Sequence, residues 1–423
     1  MRILQALPPP ATATTADPAA VAAILADVRA RGDAAVRDWT LRLDHVHLAG
    51  LSIPAADLAA AWDGLPADQR DALAHAARNI RAFAEAQRKS LSAFEIEVEP
   101  GVFAGQRLVA TDRVACYVPG GRYPLPSTVL MTVLPAVVAG VREIVVFSPP
   151  GHDGRPHRAI LAAAHLAGAT AVHPIGGAQA IAAAAFGTAT IAAVDLVVGP
   201  GNAWVTEAKR QVYGAVGIDA LAGPSEVLVL CDGSSDVRKV AADLLAQAEH
   251  DPDAQALAVT DDPAFAQALS AEVDRQLATL PTRAVAAVSL DRHGAIVVVA
   301  DRLAMVALAN DRAPEHLEVC AARPDELAAL CTAYGGLFIG SDAAEVLGDY
   351  CVGPSHVLPT GRAARYTGGL SALTFLRVLT TQRTVSVKGT VAPVAALARA
   401  AACLARCEGL EAHARAADLR AEG

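Results

Sequence analysis

Aromatic side chains make up only 4% of the 423 residues, and cysteine occurs seven times. With few large anchors, and with much of the 53% hydrophobic share supplied by alanine, the cores are expected to be helix-rich and closely packed. A length of 423 residues excludes a small disulfide-stapled fold, and an odd number of cysteines with no C-x-x-C pair suits a reducing cytoplasm better than a disulfide framework. Cys403 and Cys407 stand four apart in a predicted helix; with no second pair nearby they read as small core residues and not as a zinc site. Long apolar runs are also missing. Although the mean hydropathy is +0.34, the stretches 129–141 and 180–194 are too short, or too interrupted by Pro and Gly, for a span of about 20 residues. The start, MRILQALPPP, lacks the charged segment and apolar region that secretion uses, so a cytoplasmic location is expected. Positive charge is not in excess: 35 basic residues face 44 acidic ones, net −9, without a basic stripe. Neither nucleic acid nor a membrane is an expected partner.

What is present is a repeating pattern. At about 150 residues per domain the length allows two or three units. The first hundred residues read as helices: Asp17 before Pro18 supplies a cap and a first-turn proline, and Val21, Ile24, Leu25 and Val28 follow at helical spacing before Gly32. A longer helix is predicted over 67–88. From about residue 113 short apolar runs alternate with helical stretches: RVACYV, EIVVFS, TAVHPI and DLVVG form one series. EVLVLC, ALAVT, AIVVV, LEVC and LFIG form a second. Such runs read as strands buried on both faces, so the predicted fold is α/β, with two parallel sheets covered by helices. After about residue 360 strand signals stop, and from 391 the chain reads as helical, with an apolar face that the body of the chain or a partner subunit must cover.

The G-x-G-x-x-G turn of common dinucleotide folds is absent. YVPGG (117–121), IGGAQA (175–180) and GPGNAW (199–204) instead follow predicted strands, and the last two open helices. Glycine-rich turns at strand ends bring backbone N–H groups close to a phosphate or pyrophosphate; each alone is more often a plain turn, and three in one series make the two readings about equal. The second series holds the titratable residues. Gln247 and His250 share a face near the end of a helix predicted over 237–250; in isolation they are a surface polar pair. Glu315 and His316 follow Pro314 and could supply two bases of different strength, provided a loop, not a strand, lets both reach one substrate. Asp349 and His356 lie in GDYCVGPSHVLPT, too rich in Gly and Pro to serve packing alone, and Glu408 and His413 lie five apart in the tail. Together they form an oxygen and nitrogen donor set suited to a divalent ion such as zinc or manganese.

With these segments the sequence resembles histidinol dehydrogenases over nearly its whole length. The likeness runs through YVPGGRYPLPSTVLM, IGGAQAIAAAAFGT, GPGNAWVTEAKRQV, LAGPSEVLV, LLAQAEHDPDAQ, APEHLEV and GDYCVGPSHVLPT to CEGLEAHA. It implies a zinc-dependent enzyme that oxidises L-histidinol to L-histidine through the aldehyde with two NAD, at the end of histidine biosynthesis. Gln247, His250, Asp349 and His413 would hold one zinc ion per subunit. Glu315 and His316 would be the acid/base pair. Ser225, His356 and Glu408 would join these residues in binding substrate, and Tyr117, Gln179 and Asn202 would contact NAD. The implied architecture is an intertwined homodimer of two incomplete Rossmann-like domains with small helical terminal domains. Residues 1–20 would be an arm, 21–112 with 226–365 the domain of the metal ligands and acid/base pair, and 113–225 an inserted NAD-binding domain. Residues 366–423 would complete the partner subunit's site. The segment 362–393 departs from the commonest family version and is similar to relatives that oxidise sulfopropanediol. Ser225 and Tyr350 favour histidinol. A non-catalytic metal-binding relative is the third alternative, opposed by the intact ligand set.

Overall fold

A computed structural model describes residues 1–9, 16–120, 123–385 and 394–422; Gly121 of the first glycine-rich turn and the expected start of the helical tail at 391 lie outside the described residues. Within them the strands, in chain order, are β1 Arg2–Leu4, β2 Phe94–Glu99, β3 Val102–Ala110, β4 Arg113–Tyr117 and β5 Glu143–Phe147. β6 Ala171–His173, β7 Leu196–Val198, β8 Gly217–Ile218, β9 Glu226–Cys231 and β10 Gln255–Thr260 follow. The series ends with β11 Ala295–Val298, β12 His316–Val319, β13 Gly336–Ile339 and β14 Leu376–Thr384.

Both expected parallel sheets form. One has five strands in the order β6-β5-β4-β7-β8, the other six in the order β1-β11-β10-β9-β12-β13, every pair parallel. β9 and β10 are buried at all six positions, which is why they read as unbroken apolar runs. The first helix, Pro18–Arg31, begins as its sequence specifies: the Asp17 carboxylate accepts from the Ala19 N–H, and Val21, Ile24, Leu25 and Val28 are buried. Those side chains pack with Ile181 and Val197 of the five-stranded layer. The N-terminal segment is more than an arm, because β1 extends the six-stranded sheet beside β11.

Contacts divide the chain into two units, one of 1–88 with 111–375 and a smaller one of Lys89–Ala110 with the chain from 376. The smaller unit corrects two expectations. It contains a three-stranded antiparallel sheet, β14-β3-β2, so neither the first hundred residues nor the terminal unit is purely helical. β2 carries Phe94, Ile96 and Val98 half-exposed between glutamates, so it has no buried run to announce it. Helices Ala395–Cys407 and Glu411–Ala421 pair in the same unit, and Cys403 and Cys407 are exposed on the first, not core residues as expected.

Candidate active site

The site is built where β9 and β12 run side by side, with His316 opposite Val227. The helix Arg302–Arg312 ends at Ala313, buried and in the left-handed region at φ +49°, and this turn sends the chain through Pro314 into β12. Because β12 begins at His316, Glu315 still belongs to the loop, and strand alternation does not separate the two heads: Glu315 Oε2 and His316 Nδ1 are 3.8 Å apart. The backbone of one residue aligns both. The Glu226 N–H donates to Glu315 Oε2 (2.9 Å), and His316 Nδ1–H donates to the Glu226 carbonyl (3.2 Å). His316 Nε2 is thereby turned away from the strand; it is buried without a hydrogen-bond partner, 3.6 Å from Asp349 Oδ1.

Asp349 lies in the π-turn Gly348–Val352, a distortion frequent at functional sites. Four residues earlier Glu345 places Oε1 3.6 Å from His316 Nδ1, and one ligand atom each from His316, Glu345 and Asp349 falls within 4.8 Å of the others. Glu345 was missed at the sequence level; its i, i+4 spacing from Asp349 was the signal available. The Gln247 amide nitrogen, facing Glu345, donates to both carboxylate oxygens (2.9 and 3.2 Å), which turns the amide oxygen away. The helix carrying Gln247 is Val237–Ala248, two residues shorter than predicted, so His250 stands just past its end, with Nδ1 3.3 Å from the Gln247 carbonyl. His356 Nδ1–H donates to the Asp349 carbonyl (2.9 Å) and its Nε2 accepts from the Thr128 hydroxyl (3.0 Å). Asp349 and His356 also line a cavity of about 170 Å³ with Phe83, Phe338 and Leu370.

The electrostatics are those of too many acids around one imidazole. Burial pushes the Glu315 carboxyl up to about 7. Glu345 is driven well above the carboxylate range by burial, with His316 opposing and the other acids reinforcing. Burial alone would depress His316, but Glu345, Glu315 and Asp349 hold it well above the ordinary imidazole value. Asp349 resists its own burial, its carboxyl lowered by the adjacent His316 imidazole and by His356 and His250. His356, in contrast, is lowered by burial and neutral. A buried surplus of carboxyl groups beside an unpartnered imidazole nitrogen fits a divalent cation, whose charge would balance it.

The remaining expected residues are dispersed. Ser225 immediately precedes β9, its carbonyl accepting from the Gln255 N–H (2.9 Å). Glu408 and His413 are exposed in the smaller unit, separated by the Gly409 turn between its two helices. Tyr117 ends β4, Gln179 and Asn202 sit beyond the carboxyl ends of β6 and β7, and the strand order reverses between β4 and β7, where ligands of such sheets lie. Tyr117 Oη accepts from the Gly177 N–H (3.1 Å), Gln179 Oε1 is buried without a partner, and Asn202 caps the helix Ala203–Val212. Gly199 has φ +107°, and a Cβ there would meet the Tyr117 carbonyl at 2.1 Å. Its N–H is held by Asp219 (2.7 Å) and its carbonyl by Lys209 (3.0 Å), a buried ion pair.

Comparison with known proteins decides the family. The histidinol dehydrogenase family model matches residues 10–421. The chain belongs to the histidinol dehydrogenase family. Histidinol dehydrogenase of Gluconobacter oxydans is 47% identical over 405 residues, 95% of this chain and 92% of that protein. The enzyme of Bordetella parapertussis is 46% identical, with 95% and 90% covered. The crystal structure of histidinol dehydrogenase from Elizabethkingia anophelis superposes with a TM-score of 0.92 at 33% identity, covering 100% of this chain and 98% of that one. This histidinol dehydrogenase family member is thus an oxidoreductase of α/β fold. No helix among its described residues is long and apolar enough to cross a membrane.

Proposed function

We propose that the protein oxidises L-histidinol to L-histidine through L-histidinal, with two NAD in succession and one zinc ion per subunit, as the last steps of histidine biosynthesis. The observation that carries this reading is the pairing of Glu315 with His316 on the backbone of Glu226, beside the buried acids and amide of Asp349, Glu345 and Gln247. Gln247, His250 and Asp349 would hold the metal, joined by His413 of a second copy in a homodimer. When bound, zinc supplies a positive charge that anchors substrate nitrogens and offsets the acids around His316, and NAD accepts each hydride.

The protein's own residues do the rest. His316 Nε2, aimed away from the Glu226 carbonyl, takes the proton of the substrate alcohol as the first hydride leaves. Glu315 then removes a proton from water attacking the aldehyde carbon, giving the hydrate that loses the second hydride and becomes the acid. A carboxyl poised at about 7 is matched to that task near neutrality. His356, neutral and fixed at both nitrogens, together with Ser225 and Glu408, orients the substrate. Tyr117, Gln179 and Asn202 contact NAD at the strand-order reversal.

The test is NAD reduction with histidinol before and after chelation. Activity lost to chelator and restored by zinc supports the reading. Reduction of NAD with sulfopropanediol but not with histidinol would replace the substrate, and no reduction with either would remove the enzymatic role.

A further inference from the structure

The backbone N–H and C=O of Glu226 align Glu315 and His316 respectively, so whatever holds Glu226 sets the geometry of the pair. Its side chain is held from two directions inside the protein. Oε1 accepts from the Gly361 N–H (2.8 Å), and Oε2 faces Arg312 Nε at 3.9 Å, the two side chains being 5% and 3% exposed. Oε2 and that Nε are each buried without a hydrogen-bond partner among the described residues, so they stabilise one another through charge. Arg312 is fixed in turn: one terminal nitrogen donates to Gln255 Oε1, the other to the Pro8 carbonyl (3.0 Å). Gln255 stands opposite Glu226 in the β9–β10 pairing, and its amide donates to the Pro9 carbonyl (3.4 Å). Arg312 is also the last residue of the helix whose end turns into Glu315.

We propose that the buried Glu226–Arg312 pair is the positioning element of the acid/base site, holding the Glu226 backbone on which Glu315 and His316 are aligned and tying it to the Pro8–Pro9 segment. Neither of the two side chains touches the proposed reacting groups; both act through the Glu226 backbone. Replacing Arg312 leaves Glu226 as a buried acid without a counter-ion, and the start of β9 must shift or take up a proton. Because the pair acts as a unit, removing both members should cost no more than removing one. The catalytic meaning rests on the function proposed above, whereas the positioning itself does not.

The experiment compares wild type with Arg312→Met, Arg312→Lys, Gln255→Leu and the double variant Glu226→Leu/Arg312→Met, all zinc-loaded. We expect Arg312→Met to lower kcat for both oxidations about 10- to 100-fold, with KM for histidinol and NAD changed less than about threefold. Lysine should recover part of the loss, and the double variant should fall no further. A folded Arg312→Met with kcat within about twofold of wild type, or a loss confined to KM, overturns the proposal. If Arg312→Met does not fold, Gln255→Leu, which removes one support and leaves the charge pair, should show a smaller kcat loss; unchanged kcat overturns it. A crystal structure of the variant gives a readout independent of turnover. Glu315 Oε2 withdrawn from the Glu226 N–H is expected, and an unmoved pair contradicts positioning. Absence of histidinol oxidation by wild type would count against the proposed reaction alone, leaving the crystal structure to decide this point.

Discussion

Glu315 carries a carboxyl group that burial lifts from the usual carboxylate range to about 7, close enough to neutrality for its ionisation to show in the rate. In the proposed mechanism the ionised form activates water, so the aldehyde oxidation should accelerate as pH rises through about 7 and level off above it. In Glu315→Gln that rise should vanish, with the aldehyde step about 100-fold slower and the alcohol step less affected; His316→Ala should slow both. Stopped-flow traces of the two half-reactions against pH check this, and equal losses in both steps for Glu315→Gln contradict the division of labour. Glu315 and His316 were legible in the sequence because an acid next to an imidazole after Pro314 stands out at a strand mouth. Glu345 was not, since an acid in AAEVL looks like any solvated glutamate until the chain folds it under His316. The contribution of Glu226 was invisible for a different reason: it is made by backbone groups, which no side-chain pattern encodes.

At the scale of elements, the two parallel sheets were readable because strands buried on both faces must be almost continuously apolar, and β9, β10 and β4 are. β2 and β14 escaped because their side chains are mostly exposed and mix charge with apolar groups, so no burial pattern separates them from loop or helix. The glycine-rich turns were readable as turns, but not what fixes them. Gly199 is clamped through both backbone groups by Lys209 and Asp219, each side chain 3% exposed. Breaking a buried pair by removing one partner leaves an uncompensated charge, so Lys209→Met should lose about 3–5 kcal/mol of stability. Urea denaturation measures it. A loss below about 1 kcal/mol would mean that the pair is not what holds the turn.

For the molecule as a whole, the expected two-sheet α/β body is present, while the terminal unit is a small sheet with two helices instead of helices alone. Glu408 and His413 are exposed on that unit. Gln247, Glu315, His316, Glu345 and Asp349 meet within the larger unit, drawn from a helix end, a strand mouth and a π-turn that are distant in sequence. The central claim is that this assembly carries one substrate through two successive oxidations. Its most direct test is the count of NADH formed per histidinol consumed by the zinc-loaded protein, with the product identified. Two NADH and free histidine are predicted; one NADH with histidinal released, or no reduction of NAD by histidinol, would contradict the account.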